Sequence, residues 1–180
     1  MIYLFLADGF EEIEALAPLD ILRRAGKEVL TVGVTGKTVT GSHGIPVVCD
    51  VTVEDVDPDD MPEAVILPGG MPGTKYLDES MFVCAFTKAV YKNGRLVCAI
   101  CAAPSVLGHI GVLAGKNAVC YPGFELQLIG ANVCAEPVVR DGNIITAKGA
   151  GVALDFGFAI TAALCGDEKA EALSESMQCV

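Results

Sequence analysis

The chain has 180 residues, 52% hydrophobic and 19% charged, which is enough apolar matter for a substantial core and excludes a disordered segment. Its net charge of −11, with no basic stripe, argues against nucleic acid and anionic membrane surfaces as partners. Eight cysteines and no export signal predict free thiols in a reducing, cytoplasmic setting.

In chain order, residues 2–7 read as a strand whose flanks carry no basic n-region, so no signal peptide is read there. Residues 11–25 read as a helix ending at Gly26, and Val29–Val34 as a second strand. Residues 36–57, punctuated by Gly41, Gly44 and Pro46, read as a hairpin or small extra strands. Ala64–Leu67 is a strand leading into Pro68-Gly69-Gly70, and 79–92 a helix closed by Asn93-Gly94.

Residues 95–100 are a short apolar strand, followed at Cys101 by a helix reaching about Ala114. The uncharged stretch 96–115 has membrane-spanning length, but Cys101, Pro104, Ser105 and His109 within it favour a buried strand and a buried helix. A strand is expected near 117–120 and a turn at Arg140–Asn143, and 151–165 and 167–177 close the chain as helices. This alternation predicts one α/β domain over residues 1–180, with a mostly parallel sheet and helices on both faces.

In such a sheet, sites form beyond the carboxyl ends of the strands. Three segments reach that edge with polar or permissive residues: 7–14, 67–70 and 100–102. Cys101 stands where a strand breaks into a helix, beside unpaired N–H groups that favour a thiolate. Glu11, Glu12 and Glu14 occupy the first helical turn, where the dipole accommodates carboxylates, and for Glu12 that reason suffices. Glu14 shares a face with Glu11 and Pro18 and is expected to turn inward. A desolvated, protonated Glu14 would hydrogen-bond the thiolate and carry a proton. The N–H groups of Gly69 and Gly70 are candidates to meet an oxyanion.

Other motifs are set aside. His109, two helical turns beyond Cys101, is about 12 Å away, and nothing in the sequence brings His43 to the thiol. Cys98 and Cys101 form a C-x-x-C pair, but a strand would hold them about 10 Å apart, beyond the roughly 7 Å limit for a disulfide. No second such pair completes a zinc site, so no metal is expected. Gly36-Lys37-Thr38 lacks the first glycine of a phosphate loop.

Four co-ordered motifs carry a family resemblance: A-D-G-F-E-E-I-E at 7–14, L-P-G-G at 67–70, A-I-C-A-A-P at 99–104 and K-G-A-G at 148–151. Together they resemble the ThiJ/PfpI superfamily, and within it the DJ-one branch. The resemblance implies a flavodoxin-like three-layer sandwich, usually a homodimer, with the cysteine on a strained elbow. It implies Cys101 as nucleophile and oxidation-sensitive thiol, Glu14 as its protonated partner, and backbone of Gly70 and Ala102 at the oxyanion. It also implies cofactor-free chemistry on small reactive aldehydes such as methylglyoxal, of the glyoxalase or deglycase kind, or an oxidative-stress sensor or chaperone role.

Two departures stand out. Tyr121 occupies the place of a histidine near the cysteine, and a phenol is a poor base at neutral pH. Ala150 replaces a proline at the pocket rim. Position 102 is alanine where the peptidase branch has histidine, so peptidase activity is not expected. The pocket is expected to involve Tyr121, Ala150 and Glu11.

Overall fold

The computed structural model describes residues 1–179. The elements in chain order are β1 (Ile2–Leu6), α1 (Glu12–Arg24), β2 (Val29–Gly33), β3 (Thr38–Thr40), β4 (Pro46–Val48), β5 (Val51–Thr52) and β6 (Ala64–Leu67). There follow α2 (Gly73–Glu79), α3 (Met81–Lys92), β7 (Leu96–Ile100), α4 (Pro104–His109), β8 (Asn117–Ala118) and β9 (Asn132–Val133). The chain ends with β10 (Val138–Asp141), β11 (Ile144–Ala147), α5 (Ala153–Cys165) and α6 (Asp167–Ser176).

The main sheet has the order β10-β11-β7-β6-β1-β2-β5 and is parallel except for β10, which returns along β11 as a hairpin. Strand β1 shows how both faces become covered. Ile2, Leu4 and Leu6 enter one core with Ala15, Leu19 and Leu22 of α1 and Phe156 and Ile160 of α5. Tyr3 and Phe5 point the other way, into a core with Leu77 of α2, Val83, Phe86 and Val90 of α3, and Val106 of α4. Period-two alternation on a strand apolar at every position therefore builds a three-layer α/β sandwich.

After β5 the chain crosses back to place β6 on the other side of β1. The winding direction changes there, and the loops leaving β1 and β6 diverge to opposite faces, opening a crevice at their carboxyl ends. The expected hairpin in 36–57 is β3–β4, with β5 joining the sheet edge.

Three boundaries differ from expectation. The helix after Cys101 ends at His109, short of Ala114. Gly111 (φ +79°) donates to Gly108 and Val112 donates to Leu107, a Schellman termination that the left-handed glycine makes possible. Helix α2 was not anticipated: Ser80 both closes it and caps α3, accepting from Val83 N–H at 3.3 Å, so two helices lie where the sequence suggested one. The strand expected at 117–120 is the two-residue β8, paired with β9 outside the main sheet.

No helix among the described residues is long and apolar enough to cross a membrane. Residues 96–115 are β7, α4 and their connections.

Candidate active site

Four neighbouring strands, β1, β6, β7 and β11, deliver their carboxyl ends to one edge. Cys101 is the first residue beyond β7 and is held at φ +64°, in the left-handed region. A side chain there costs about 1–2 kcal/mol. The conformation persists because both backbone polar groups are pinned: Cys101 N–H donates to Ala147 O at 2.9 Å, and Cys101 C=O accepts from Tyr121 N–H at 2.8 Å.

Glu14 is 1% exposed, on the face of α1 turned inward as its spacing predicts. Gly69 N–H donates to its Oε2 at 3.0 Å, and Ala150 N–H also hydrogen-bonds the carboxyl. Gly69 lies between Glu14 and Cys101. A Cβ at position 69 would sit 2.5 Å from Glu14 Oε2, 2.6 Å from Cys101 Cβ and 3.0 Å from Ile100 O, so only glycine lets the carboxyl and the thiol meet. Gly69 N–H is thereby committed to Glu14 and is not a free oxyanion donor, which corrects its expected role. Gly70 (φ +89°) and Ala102 instead direct their N–H groups at the sulfur.

Electrostatically the two groups behave as a pair. Burial, opposed by the Cys101 and backbone hydrogen bonds, and assisted by the charge of Glu11, raises Glu14 from 4.5 to about 7. Burial, then the charge and hydrogen bond of Glu14, push the Cys101 thiol up to about 12, while the Ala102 and Gly70 N–H groups act against the rise. The helix-start groups alone therefore do not produce a thiolate beside an ionised Glu14. Because each group feels the other, they titrate as a pair, with Glu14 raised to about 7 and the Cys101 thiol raised to about 12. The monoanion between those limits is either thiol with carboxylate or thiolate with carboxylic acid, related by transfer of one proton. In the second form the Coulomb repulsion is gone and Glu14 donates to sulfur.

Glu11 is the N-cap of α1, its carboxylate accepting from Glu14 N–H at 2.8 Å, so it orients Glu14 through the backbone. Tyr121 is 51% exposed, and its ring lies over Gly149, where an added Cβ would be 3.3 Å from Tyr121 Cδ2 and 3.9 Å from Glu14 Oε1. Tyr121, Pro122, Lys148 and Gly149–Val152, which includes Ala150, line a hollow of about 410 Å³ beside the pair.

Sequence reasoning missed the role of Glu12. It is buried and accepts from His43 N–H at 2.8 Å, contacts His43 Nδ1 at 2.9 Å and accepts from Ile45 N–H at 3.4 Å, fastening the loop between β3 and β4 onto α1. Gly41, whose Cβ would strike the Glu12 carboxyl, was the one local signal of that approach. His109 binds Asp78 at 2.9 Å. Both histidines are thus engaged by carboxylates rather than by the thiol. All eight cysteines are free, Cys98 fully buried in β7. Glu11, Glu12 and His43 could jointly reach one ion, but Glu12 already accepts from the His43 and Ile45 N–H groups, and among the described residues no other such group is found.

Fold and site define a class: parallel α/β sandwiches with a left-handed cysteine at the strand edge, facing a buried carboxyl. The profile of the DJ-1/PfpI family matches residues 1–163, and the chain belongs to that family. Protein dj-1beta of Drosophila melanogaster is 37% identical over 175 residues, covering 96% of this chain and 93% of that protein. A protein of Pyrococcus abyssi named deglycase is 36% identical over 145 residues, covering 79% of this chain and 86% of that one. The solved structure of Drosophila melanogaster DJ-1beta superposes with a TM-score of 0.93 at 34% identity, covering 99% of this chain and 97% of that one.

Proposed function

We propose that the chain, residues 1–180 acting as one unit, is a cysteine-dependent enzyme of small reactive aldehydes, with methylglyoxal as the reference substrate. The observation that carries this reading is the meeting of Cys101 and Glu14 across the side-chain-free Gly69. The thiol proton passes to Glu14, and the sulfur attacks the aldehyde carbon. A C–S bond forms while the carbonyl electron pair moves to oxygen, beside the Gly70 and Ala102 N–H groups. Glu14 returns the proton to that oxygen, giving a hemithioacetal. Hydrogen shift within the adduct and addition of one water release lactate and the free thiol, so no cofactor is consumed. The deglycase name of the Pyrococcus abyssi relative supports chemistry of this class.

The test is conversion of methylglyoxal to lactate by the intact protein without glutathione. Turnover that vanishes in Cys101→Ala and falls in Glu14→Gln supports the reading, and no turnover in the intact protein overturns it. A homodimer in the cytoplasm belongs to the same reading. Exposed Ile13 on α1 and Ile45 and Val48 near the β3–β4 loop, which Glu12 draws to α1, offer an apolar face for a second copy.

Tyr121 favours a second reading. With a phenol beside the pair and neither histidine hydrogen-bonded to the thiol, Cys101 would serve as an oxidative-stress sensor or chaperone switch, oxidised by two equivalents of peroxide to a sulfinate. Peptide mass mapping after mild peroxide separates the two. Oxidation spread evenly over the eight cysteines removes the sensor reading.

A further inference from the structure

The amino-terminal edge of the sheet, opposite the cysteine, holds a second hollow of about 390 Å³. Its lips are the turn from α3 into β7, carrying Arg95, and the β10–β11 hairpin, carrying Arg140. Leu96 and, from α5, Leu164 form its apolar part.

The charges here are segregated against the trend of the chain. Arg23 and Arg24 are engaged by Asp50 and Asp20. Arg95 and Arg140 are exposed and, among the described residues, neither pairs with a carboxylate nor donates a side-chain hydrogen bond. The nearby acids are already occupied. Glu63 on the rim accepts from Lys27 Nζ at 2.6 Å, and Asp141 from Lys116 Nζ at 3.1 Å and Asn117 N–H at 2.9 Å. In a chain of net charge −11, this leaves two guanidinium groups without a carboxylate partner lining one hollow.

Asn143 ties those lips together. Its Nδ2 donates to Arg95 O at 2.8 Å and Tyr91 O at 3.1 Å, fixing the hairpin against the turn that carries Arg95. Guanidinium forks favour oxyanions bound through two oxygens. The volume is that of a small-molecule site.

We propose that this hollow is an anion site for the phosphate or diphosphate group of a small molecule, held between Arg95 and Arg140. The site is separate from Cys101 and independent of the aldehyde chemistry.

The probe is inorganic pyrophosphate, titrated calorimetrically into the intact protein at constant low ionic strength. One saturable site per chain is expected, weakened about tenfold or more by Arg95→Gln and by Arg140→Gln separately, and lost in the double variant. Lys169→Gln on α6, outside the hollow, leaves affinity unchanged, and Arg140→Lys, which keeps the charge but loses the fork, gives an intermediate weakening. Unchanged far-ultraviolet circular dichroism and melting temperature accompany each variant. Absence of saturable binding in the intact protein, equal weakening by Lys169→Gln, or succinate binding as tightly as pyrophosphate overturns the proposal.

Discussion

Glu14 and Cys101 meet across an absent side chain: the carboxyl oxygen and the cysteine Cβ lie 2.5 and 2.6 Å from the point where a Cβ of residue 69 would stand. Gly69 does two jobs there, leaving that volume empty and donating its N–H to Glu14 Oε2 at 3.0 Å. The pair is therefore built by a third residue that takes no chemical part.

Gly69→Ala is expected to separate the pair. The added methyl overpacks a buried site, at a cost of about 1–3 kcal/mol in stability. Displacement of the carboxyl by about an ångström lowers aldehyde turnover roughly a hundredfold. Denaturant melts and lactate formation read the two effects, and a fully active Gly69→Ala contradicts the geometry.

Glu14 makes a pH-dependent contribution of unusual sign for a carboxylate. Its folded pKa, about 7, lies above its ordinary 4.5, so between these values the folded chain holds more protons than the unfolded one. Its contribution is fully present below about 4.5 and is lost as pH rises through about 7, a change of about 3 kcal/mol. Glu14→Gln, which cannot ionise, is expected to exceed the parent in stability at pH 8 and to match it near pH 4.5. Melting temperatures at the two pH values check this, and an equal difference at both counts against a raised Glu14.

The left-handed backbone at Cys101 gives a comparison free of chemistry. Both Cys101→Ala and Cys101→Gly remove the thiol, but only glycine adopts φ +64° without strain. Cys101→Gly is expected to be the more stable by about 0.5–1 kcal/mol in denaturant melts. The reverse order would mean that the elbow is not strained.

Much of the fold was legible in the sequence because alternating apolar strands and amphipathic helices carry their own periods, and glycines mark where strands end. Cys101 was legible from the change of period at 100–102, and Glu14 from helical spacing. The double use of Ser80 and the left-handed stop at Gly111 were not, since each depends on which backbone groups find partners. Glu12 and His43 are 31 residues apart, and only tertiary packing joins them. For Gly69 the sequence shows a glycine but not the direction of its N–H, so an oxyanion donor was expected where a carboxyl anchor stands.

The most direct measurement is the rate of Cys101 alkylation by iodoacetamide against pH, resolved by peptide mass spectrometry in the intact protein and in Glu14→Gln. A pair sharing one proton predicts a rate that rises through an inflection near pH 7, then stays level, with that inflection absent from Glu14→Gln. A single inflection near 8.5, the value of an isolated thiol, in both proteins would contradict the account.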